Sequence, residues 1–171
     1  MTFDPRLLDA MENAAINRWT GEAWRVVVGA TEPLKANMRG ARWNPPGQET
    51  LYCSLEEETA IKEIEYLLSR EPVQIRKKRV LNGLRISLSR IVVLEKGDEL
   101  SSQGISRTDL LGDPFTSSQL LGEAVHWLGI PGLIVPSARS DAQNLIVFPE
   151  CMGPDDVIEI LSSYDYSVDD E

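Results

Sequence analysis

The stretch GARWNPPGQETLYCS, residues 40–54, combines turn-forming residues with side chains that are able to bind a ligand. Gly40, Gly47 and two consecutive prolines predict an irregular segment, and the run that follows predicts a short strand over 50–54. The segment 30–48 contains no predicted helix or strand, and a loop of that length in a compact domain is often functional. We therefore interpret the loop and the strand behind it as one wall of a pocket.

Four helices are predicted along the chain. The first opens with an Asp-Pro start signal, and the second with a capping box formed by Ser54 and Glu57. Apolar residues recur at helical spacing through the first helix, where they are Leu7, Leu8, Met11, Ala15 and Trp19. The predicted helices span residues 5–19, 55–70, 117–128 and 153–161.

Six short apolar or alternating runs predict strands. They span residues 24–28, 50–54, 83–89, 90–95, 132–137 and 144–149, with no turn signal between the third and the fourth. Strands and helices are interspersed without a regular βαβ rhythm, which favours the α+β class and a single domain over residues 1–171. The acidic tail, residues 164–171, is expected to fray.

Composition excludes several classes of function. The net charge of −10 makes direct binding of DNA or RNA a poor hypothesis, because phosphate backbones are bound through Lys and Arg. A single His126 and two cysteines without CxxC spacing are too few ligands for a zinc cluster, so we expect no metal. The chain lacks both a signal peptide pattern and an apolar run of about 20 residues, and we expect a cytoplasmic protein.

Arg42 and Tyr52 are the candidate ligand-binding residues of the opening stretch. Arg42 is either a surface arginine stacked on a ring or a guanidinium held for a phosphate or a ribose hydroxyl. Tyr52 is either a half-buried packing residue or an aromatic face on which a flat ring can stack. The neighbouring Cys53 has no activating base in view and is interpreted as a small buried apolar residue.

Glu63 and Ser137 are the candidate polar residues of the later elements. Glu63 lies at the flank of its helix's apolar stripe, so it either forms a salt bridge or supplies a carboxylate to a site. Ser137 ends a strand, where it either caps a turn or donates a hydrogen bond to a ligand. Asn144, at the start of the next strand, is predicted to fix the loop by bonding backbone groups. His126 is interpreted as a core or near-core histidine.

The order of these signals resembles the RES domain family, named for an Arg, a Glu and a Ser. The family pattern G-x-R-W-N-x-x-G, L-Y-x-S and E-T-A-x-x-E is followed by V-P-S-A and N-L-x-x-F. The resemblance covers about residues 22–160, and "WRVV" at 24–27 resembles the family's opening strand, with Arg25 as its basic residue. The matching residues are Gly40, Arg42, Trp43, Asn44, Gly47, Leu51, Tyr52, Ser54, Glu58, Thr59, Ala60, Glu63, Val135, Pro136, Ser137, Ala138, Asn144, Leu145 and Phe148.

The resemblance implies a fold, an activity and a partner. RES proteins are typically toxins of bacterial toxin–antitoxin pairs, with a mixed α/β sandwich and split sheet similar to the ADP-ribosyltransferases. They act on NAD⁺, and their antitoxins carry an Xre-like helix-turn-helix region. The resemblance assigns Arg42, Tyr52, Glu63 and Ser137 to catalysis. It assigns NAD⁺ contacts to Arg42, Tyr52, Asn44, Ser54, Ser137, Asn144 and Arg25.

The residue chemistry agrees with cleavage of the nicotinamide–ribose bond. Glu63 is suited to bind a ribose hydroxyl and favour a cationic transition state, while Arg42 holds the ribose or diphosphate and Tyr52 stacks on nicotinamide. Hydrolysis or phosphorolysis is preferred to ADP-ribosylation of a protein. A non-catalytic nucleotide-binding module and a housekeeping glycosidase are the alternatives, and the glycosidase lacks a second carboxylate.

Two features depart from the family pattern. Ala41 replaces the usual Gly before the Arg, which requires a negative φ there. The N-terminal helix and the acidic tail lie outside the matching blocks, and a homodimer or an antitoxin contact is a possible role for them.

Overall fold

The structure, a computed structural model, describes residues 2–72 and 77–166. Within these ranges the chain forms a mixed α/β domain. Its helices are α1 (Pro5–Asn13), α2 (Glu57–Ser69), α3 (Arg107–Leu111) and α4 (Thr116–Trp127). Its strands are β1 (Ala15–Val28), β2 (Leu51–Ser54), β3 (Arg79–Val93), β4 (Gly132–Pro136), β5 (Gln143–Val147) and β6 (Val157–Tyr166).

The described strands form one strongly curved sheet. The long strands β1 and β3 pair antiparallel from Ala15 opposite Val92 to Val28 opposite Arg79. β6 pairs with the first half of β3, and β4 runs parallel to its last three residues. The short strands β4, β5 and β2 follow, and the pair Trp24–Ser54 joins β2 back to β1. These pairings close a ring of five strands, with β6 outside it.

The described residues form three apolar clusters, of which the first and the third join helices to this sheet. The largest packs α1, α3 and α4 against one face of β4 and β5, through residues that include Leu121, Val135 and Ile146. The second fills the inside of the ring with Leu84, Leu145 and similar side chains. The third packs α2 against β1 and β3. The strands β4 and β5 are therefore covered on both faces, which explains why their sequences are continuous apolar runs.

The first helix is confirmed at its start and wrong at its end. The Asp4 carboxylate accepts a hydrogen bond from the Arg6 backbone N–H, and Pro5 occupies the first turn. The helix ends at Asn13 with Ala14 as its C-cap, and residues 15–19 of the predicted helix, including Trp19, lie in β1. The helical spacing of Trp19 is incidental, since the pairing of β1 with β3 along the whole strand outweighs it.

The helix predicted over 153–161 is also wrong. The Asp156 carboxylate accepts hydrogen bonds from the backbone N–H groups of Ser89 (2.6 Å) and Gly153 (2.8 Å). The Gly-Pro-Asp-Asp run is therefore a turn, and it leads into strand β6 on the edge of β3. Residues 164–166 of the predicted frayed tail belong to this strand, while the rest of that tail lies outside the described residues.

Two boundaries inside the sheet differ from prediction. The two strands expected over 83–95 are the single strand β3, which has no turn within it. Ser54 does not cap α2: the N-cap residue is Glu56, without a side-chain cap, and the Ser54 hydroxyl bonds Asn144 instead. The irregular segment 30–48, the helix expected over 117–128 and the strands expected over 132–137 and 144–149 are confirmed within a few residues.

Candidate active site

Three strand ends bring polar side chains together at one end of the short strands. Ser54 is the last residue of β2 and lies opposite Asn144, near the start of β5. Asn144 also lies opposite Val135 of β4, and Ser137 follows that strand directly. Alternate residues of a strand point to the same face. Ser54, Asn144 and Ser137 therefore share the face on which Val135 and Ile146 meet the helices.

Glu63 of α2 reaches this group of residues and accepts two hydrogen bonds on one oxygen. The Ser137 hydroxyl donates to Glu63 Oε1 at 2.6 Å, and the Asn144 Nδ2 donates to the same atom at 2.8 Å. Among the described residues no donor bonds Glu63 Oε2 and no cation forms an ion pair with Glu63. We call Glu63, Ser137, Asn144 and Ser54 the Glu63 cluster. It holds a carboxylate in place by neutral donors and leaves one oxygen available to a ligand hydroxyl.

The rest of the Glu63 cluster fixes the orientation of these donors. The Ser54 hydroxyl donates to Asn144 Oδ1 at 2.8 Å, so the amide must present its NH₂ to Glu63. Ser137 Oγ accepts a hydrogen bond from the Arg139 backbone N–H at 3.0 Å, which directs its own proton to Glu63. Ser54 and Ser137 are buried and hold Asn144 and Glu63 in position, and their predicted ligand contacts stay predictions.

Tyr52 fastens the irregular loop to β2. Its hydroxyl donates to Asn44 Oδ1 at 2.6 Å and accepts from the Trp43 backbone N–H at 2.9 Å. Burial raises the pKa of Tyr52 above its ordinary value, so the phenol is neutral at physiological pH. The hydroxyl is thus committed to the loop, and stacking of the ring on nicotinamide stays a prediction.

Helix α4 holds the other side of this loop. Trp43 is 2% exposed and packs in the core beside α4. A β-carbon on Gly122 would lie 1.7 Å from the Trp43 carbonyl oxygen, so only glycine allows this approach. The Gln119 Nε2 donates to the carbonyl oxygens of Ala41 (2.8 Å) and Asn44 (3.3 Å). Ala41 has a negative φ, as is required of an alanine that stands in place of the family's glycine.

Arg42 projects from this clamped loop towards the Glu63 cluster. Its Nη1 donates to the carbonyl oxygens of Gly112 (2.8 Å) and Leu110 (3.3 Å), and its guanidinium lies 4.5 Å from the ring centre of Phe115. Burial lowers the pKa of Arg42, while the nearby carboxylates of Asp113 and Glu63 act in the opposite direction. Arg42 and Glu63 therefore share one electrostatic environment, although 20 other residues separate them in the chain.

Two residues predicted to contact the ligand, Asn44 and Arg25, form hydrogen bonds within the protein, and their ligand contacts stay predictions. Asn44 is fully buried, and its Nδ2 donates to the Gln48 carbonyl oxygen at 2.9 Å, so it shapes the loop. Arg25 donates to three carbonyl oxygens, those of Pro33 (2.9 Å), Tyr52 (2.9 Å) and Lys35 (2.8 Å). The structure does not bring Arg25 to the Glu63 cluster, because its guanidinium is used to hold the segment 33–35 against the sheet.

Arg139 and Tyr66 are neighbours of the site that sequence reasoning missed. Tyr66 lies one helical turn after Glu63, and the Arg139 guanidinium stacks 3.6 Å from its ring centre. The position of Arg139, two residues after Ser137, was the one available signal, since loops after strands often hold functional residues. Tyr66 offered no signal, because its ring meets Arg139 only in the folded chain.

The structural interpretations of His126 and Cys53 are confirmed. His126 is half-buried, with its ring edge-on to Phe148 at 5.8 Å and its Nε2 3.4 Å from the Glu150 carboxylate. Cys53 lies inside the strand ring, and burial raises the pKa of its thiol to about 12. A thiol with that pKa is a poor nucleophile at neutral pH.

Comparison with known proteins identifies a shared fold and the family of the chain. The chain shares its mixed α/β fold with a chain of the M. tuberculosis MbcT–MbcA toxin–antitoxin complex, at a TM-score of 0.81 and 19% identity. The likeness covers 96% of this chain and 93% of that one. The RES domain family model matches residues 16–169, and the chain belongs to that family. No curated protein sequence matches it significantly.

Proposed function

We propose that this protein is the toxin of a bacterial toxin–antitoxin pair and consumes NAD⁺ by cleaving its nicotinamide–ribose bond. The supporting observation is the Glu63 cluster, in which a carboxylate is fixed by two neutral donors beside a cationic Arg42. Family membership and the likeness to a chain of the MbcT–MbcA complex support the toxin role. An ADP-ribosyltransferase-like architecture is part of this proposal.

The proposed reaction needs charge stabilisation more than acid catalysis. The bond between ribose C1′ and the nicotinamide nitrogen breaks, and its electron pair leaves with nicotinamide, which departs neutral. The ribose then carries an oxocarbenium-like positive charge. The free Oε2 of Glu63 accepts a hydrogen bond from a ribose hydroxyl and stabilises this charge. Water or phosphate attacks C1′, and attacking water releases its proton to solvent.

Arg42 is suited to hold the anionic part of the substrate. Two carbonyl oxygens and the Phe115 ring fix its guanidinium, so little side-chain entropy is lost when a ligand binds. Its remaining N–H groups are donors for a ribose or phosphate oxygen.

Release of free nicotinamide from NAD⁺ is the direct test. The purified protein is incubated with NAD⁺ in buffer alone, with phosphate, and with cell extract, and the products are separated by chromatography. ADP-ribose, ADP-ribose 1″-phosphate and a labelled protein distinguish a glycohydrolase, a phosphorylase and the alternative ADP-ribosyltransferase. Nucleotide binding without nicotinamide release in all three conditions would contradict catalysis and favour a binding module.

Glu63→Gln and Glu58→Gln form the matched pair for this assay. Both residues lie on α2, but Glu58 is exposed and pairs with Lys62 at 3.1 Å. We expect Glu63→Gln to lower the rate of NAD⁺ loss by about 10²–10³-fold and Glu58→Gln to retain wild-type rates. Similar rates in the two variants would remove Glu63 from the mechanism.

The biological role is tested by expression in bacteria. We expect the wild-type protein to stop growth and deplete NAD⁺, and Glu63→Gln to be tolerated. The proposed partner is an antitoxin with an Xre-like DNA-binding region, whose co-expression restores growth and whose gene lies beside this one. NAD⁺ is a cytoplasmic cofactor, so we propose that the protein acts in the cytoplasm. Within residues 2–72 and 77–166 no helix is long and apolar enough to cross a membrane. Growth arrest that Glu63→Gln also causes would exclude NAD⁺ cleavage as its cause.

A further inference from the structure

Arg139 is a guanidinium at the site without an acidic partner. It lies in the loop after β4, two residues from Ser137, and its plane stacks on the Tyr66 ring at 3.6 Å. Among the described residues no carboxylate lies within ion-pair distance of it, and its side chain donates no hydrogen bond. A half-buried arginine is usually paired, so its free donors require an explanation.

Neighbouring contacts hold Arg139 in this position. Its backbone N–H donates to Ser137 Oγ at 3.0 Å, and the next residue, Ser140, shares a hydrogen bond of 2.8 Å with Thr59 of α2. Tyr66 is itself anchored, because Arg70 Nη1 donates to its hydroxyl at 2.7 Å. Stacking occupies the face of the Arg139 guanidinium and leaves its N–H edge free.

We propose that Arg139, oriented by Tyr66, binds a phosphoryl group at the candidate site that contains Glu63. This inference rests on the proposed function and adds to it the residue that recognises a phosphate. The N–H edge of a stacked guanidinium matches two phosphate oxygens in a bidentate contact. After burial, the positive charge of Arg139 also lowers the pKa of Arg42, so an anion near both guanidinium groups relieves their repulsion.

The phosphoryl group has two possible sources with the same chemistry. It is either the diphosphate of the dinucleotide or an inorganic phosphate that attacks the ribose. Calorimetric titration with inorganic pyrophosphate and, separately, inorganic phosphate distinguishes them without turnover. Loss of pyrophosphate binding in Arg139→Ala assigns the residue to the diphosphate, and selective loss of phosphate binding assigns it to the attacking anion. Both results support the phosphoryl site.

Four further variants test the role of orientation. We expect Arg139→Ala to weaken binding about 10-fold or more, and Arg139→Lys to show a smaller loss, because Lys keeps the charge without the planar fork. Tyr66→Phe keeps the stacking ring and loses only the hydrogen bond from Arg70, so its loss should be smaller than that of Tyr66→Leu, which should resemble Arg139→Ala. Arg85→Ala is the control: it removes an exposed arginine of β3 that lies between Glu22 and Glu159.

The two proposals fail separately. Unchanged binding of both anions in Arg139→Ala and Arg139→Lys, with wild-type circular dichroism, overturns the phosphoryl site while leaving NAD⁺ cleavage by Glu63 intact. Absence of nicotinamide release from the wild-type protein, together with Arg139-dependent anion binding, overturns the proposed reaction alone. An equal loss in Arg85→Ala would show a general charge effect and also overturn the site.

Discussion

Two glutamates of one helix, Glu63 and Glu65, lie in opposite chemical surroundings. Glu65 accepts hydrogen bonds from Arg79 Nε (2.9 Å) and from the Tyr166 hydroxyl (3.2 Å), and we call these three residues the Glu65 cluster. Glu63 has the Ser137 and Asn144 donors and no ion pair within the described part of the chain.

The difference distinguishes a carboxylate in an ion pair from one held by neutral donors. A cation neutralises the charge of Glu65 and attaches α2 to β3 and β6. Neutral donors hold Glu63 in place without cancelling its charge, and that charge can then act on a ligand. We predict that the lack of an ion-pair partner within the described residues, rather than burial or hydrogen bonding, marks the carboxylate that acts on a ligand. The following substitutions test that difference.

The largest expected loss of activity is that caused by replacing Glu63. We expect Glu63→Gln to lower kcat for NAD⁺ cleavage by about 10²–10³-fold, because a preorganised charge at the developing cation is lost. Glu65→Gln should remain within about 2-fold of wild type, since it lies in the other cluster. Initial rates of nicotinamide release measure both. A comparable loss in the two variants would mean that charge on α2 in general, rather than the Glu63 cluster, matters.

Loss of a positioning donor should have a smaller effect on the rate. Ser137→Ala removes one of the two donors to Glu63 Oε1, and we expect about a 10-fold lower kcat with little change in KM. Ser163→Ala is the matched control, since it removes an equally short hydrogen bond (2.6 Å) to Asn82 in β3. If both variants lose kcat equally, the effect reflects general loosening of the sheet.

Stability should show the reverse order of the two glutamates. We expect Glu65→Gln to lower the free energy of unfolding by about 1–2 kcal/mol, because Arg79 keeps a charge in a site where its side chain is 12% exposed. Glu63→Gln should change it by less than about 1 kcal/mol, since the amide oxygen still accepts both donors. Urea denaturation of each variant measures this. A larger loss in Glu63→Gln would assign the Glu63 cluster a mainly structural role.

Alkaline pH should weaken the Glu65 cluster slightly. Burial and the Glu65 carboxylate raise the pKa of Tyr166 above its ordinary value of 10.0. The unfolded chain therefore loses this proton near pH 10 while the folded chain keeps it, so Tyr166 makes stability fall as pH rises above about 10. Denaturation midpoints at pH 8 and pH 10.5 should differ less in Tyr166→Phe than in wild type. Identical pH dependence would contradict this linkage.

Part of the fold and of the candidate site could be predicted from the sequence. The elements and contacts that were not predicted have physical reasons. The loop after Gly40, α4 and the strands β4 and β5 were predicted because turn residues and apolar runs are local signals. The end of α1 and the whole of β6 were not, because pairing with β3 overrode their local patterns. The hydrogen bond from Ser54 to Asn144 and the stacking of Arg139 on Tyr66 join segments that are distant in sequence, so no local pattern predicts them.

The sequence by itself determined the α+β class, the RES family and the candidate residues Arg42, Glu63 and Ser137. It could do so because residue type, spacing and block order are properties of the chain. Only the tertiary structure decided that Glu63 has neutral donors while Glu65 has a cation, and that Arg25 and Asn44 hold the loop. The physical reason is that neighbouring groups in space decide whether a side chain's charge is neutralised, and here those groups come from segments far apart in sequence.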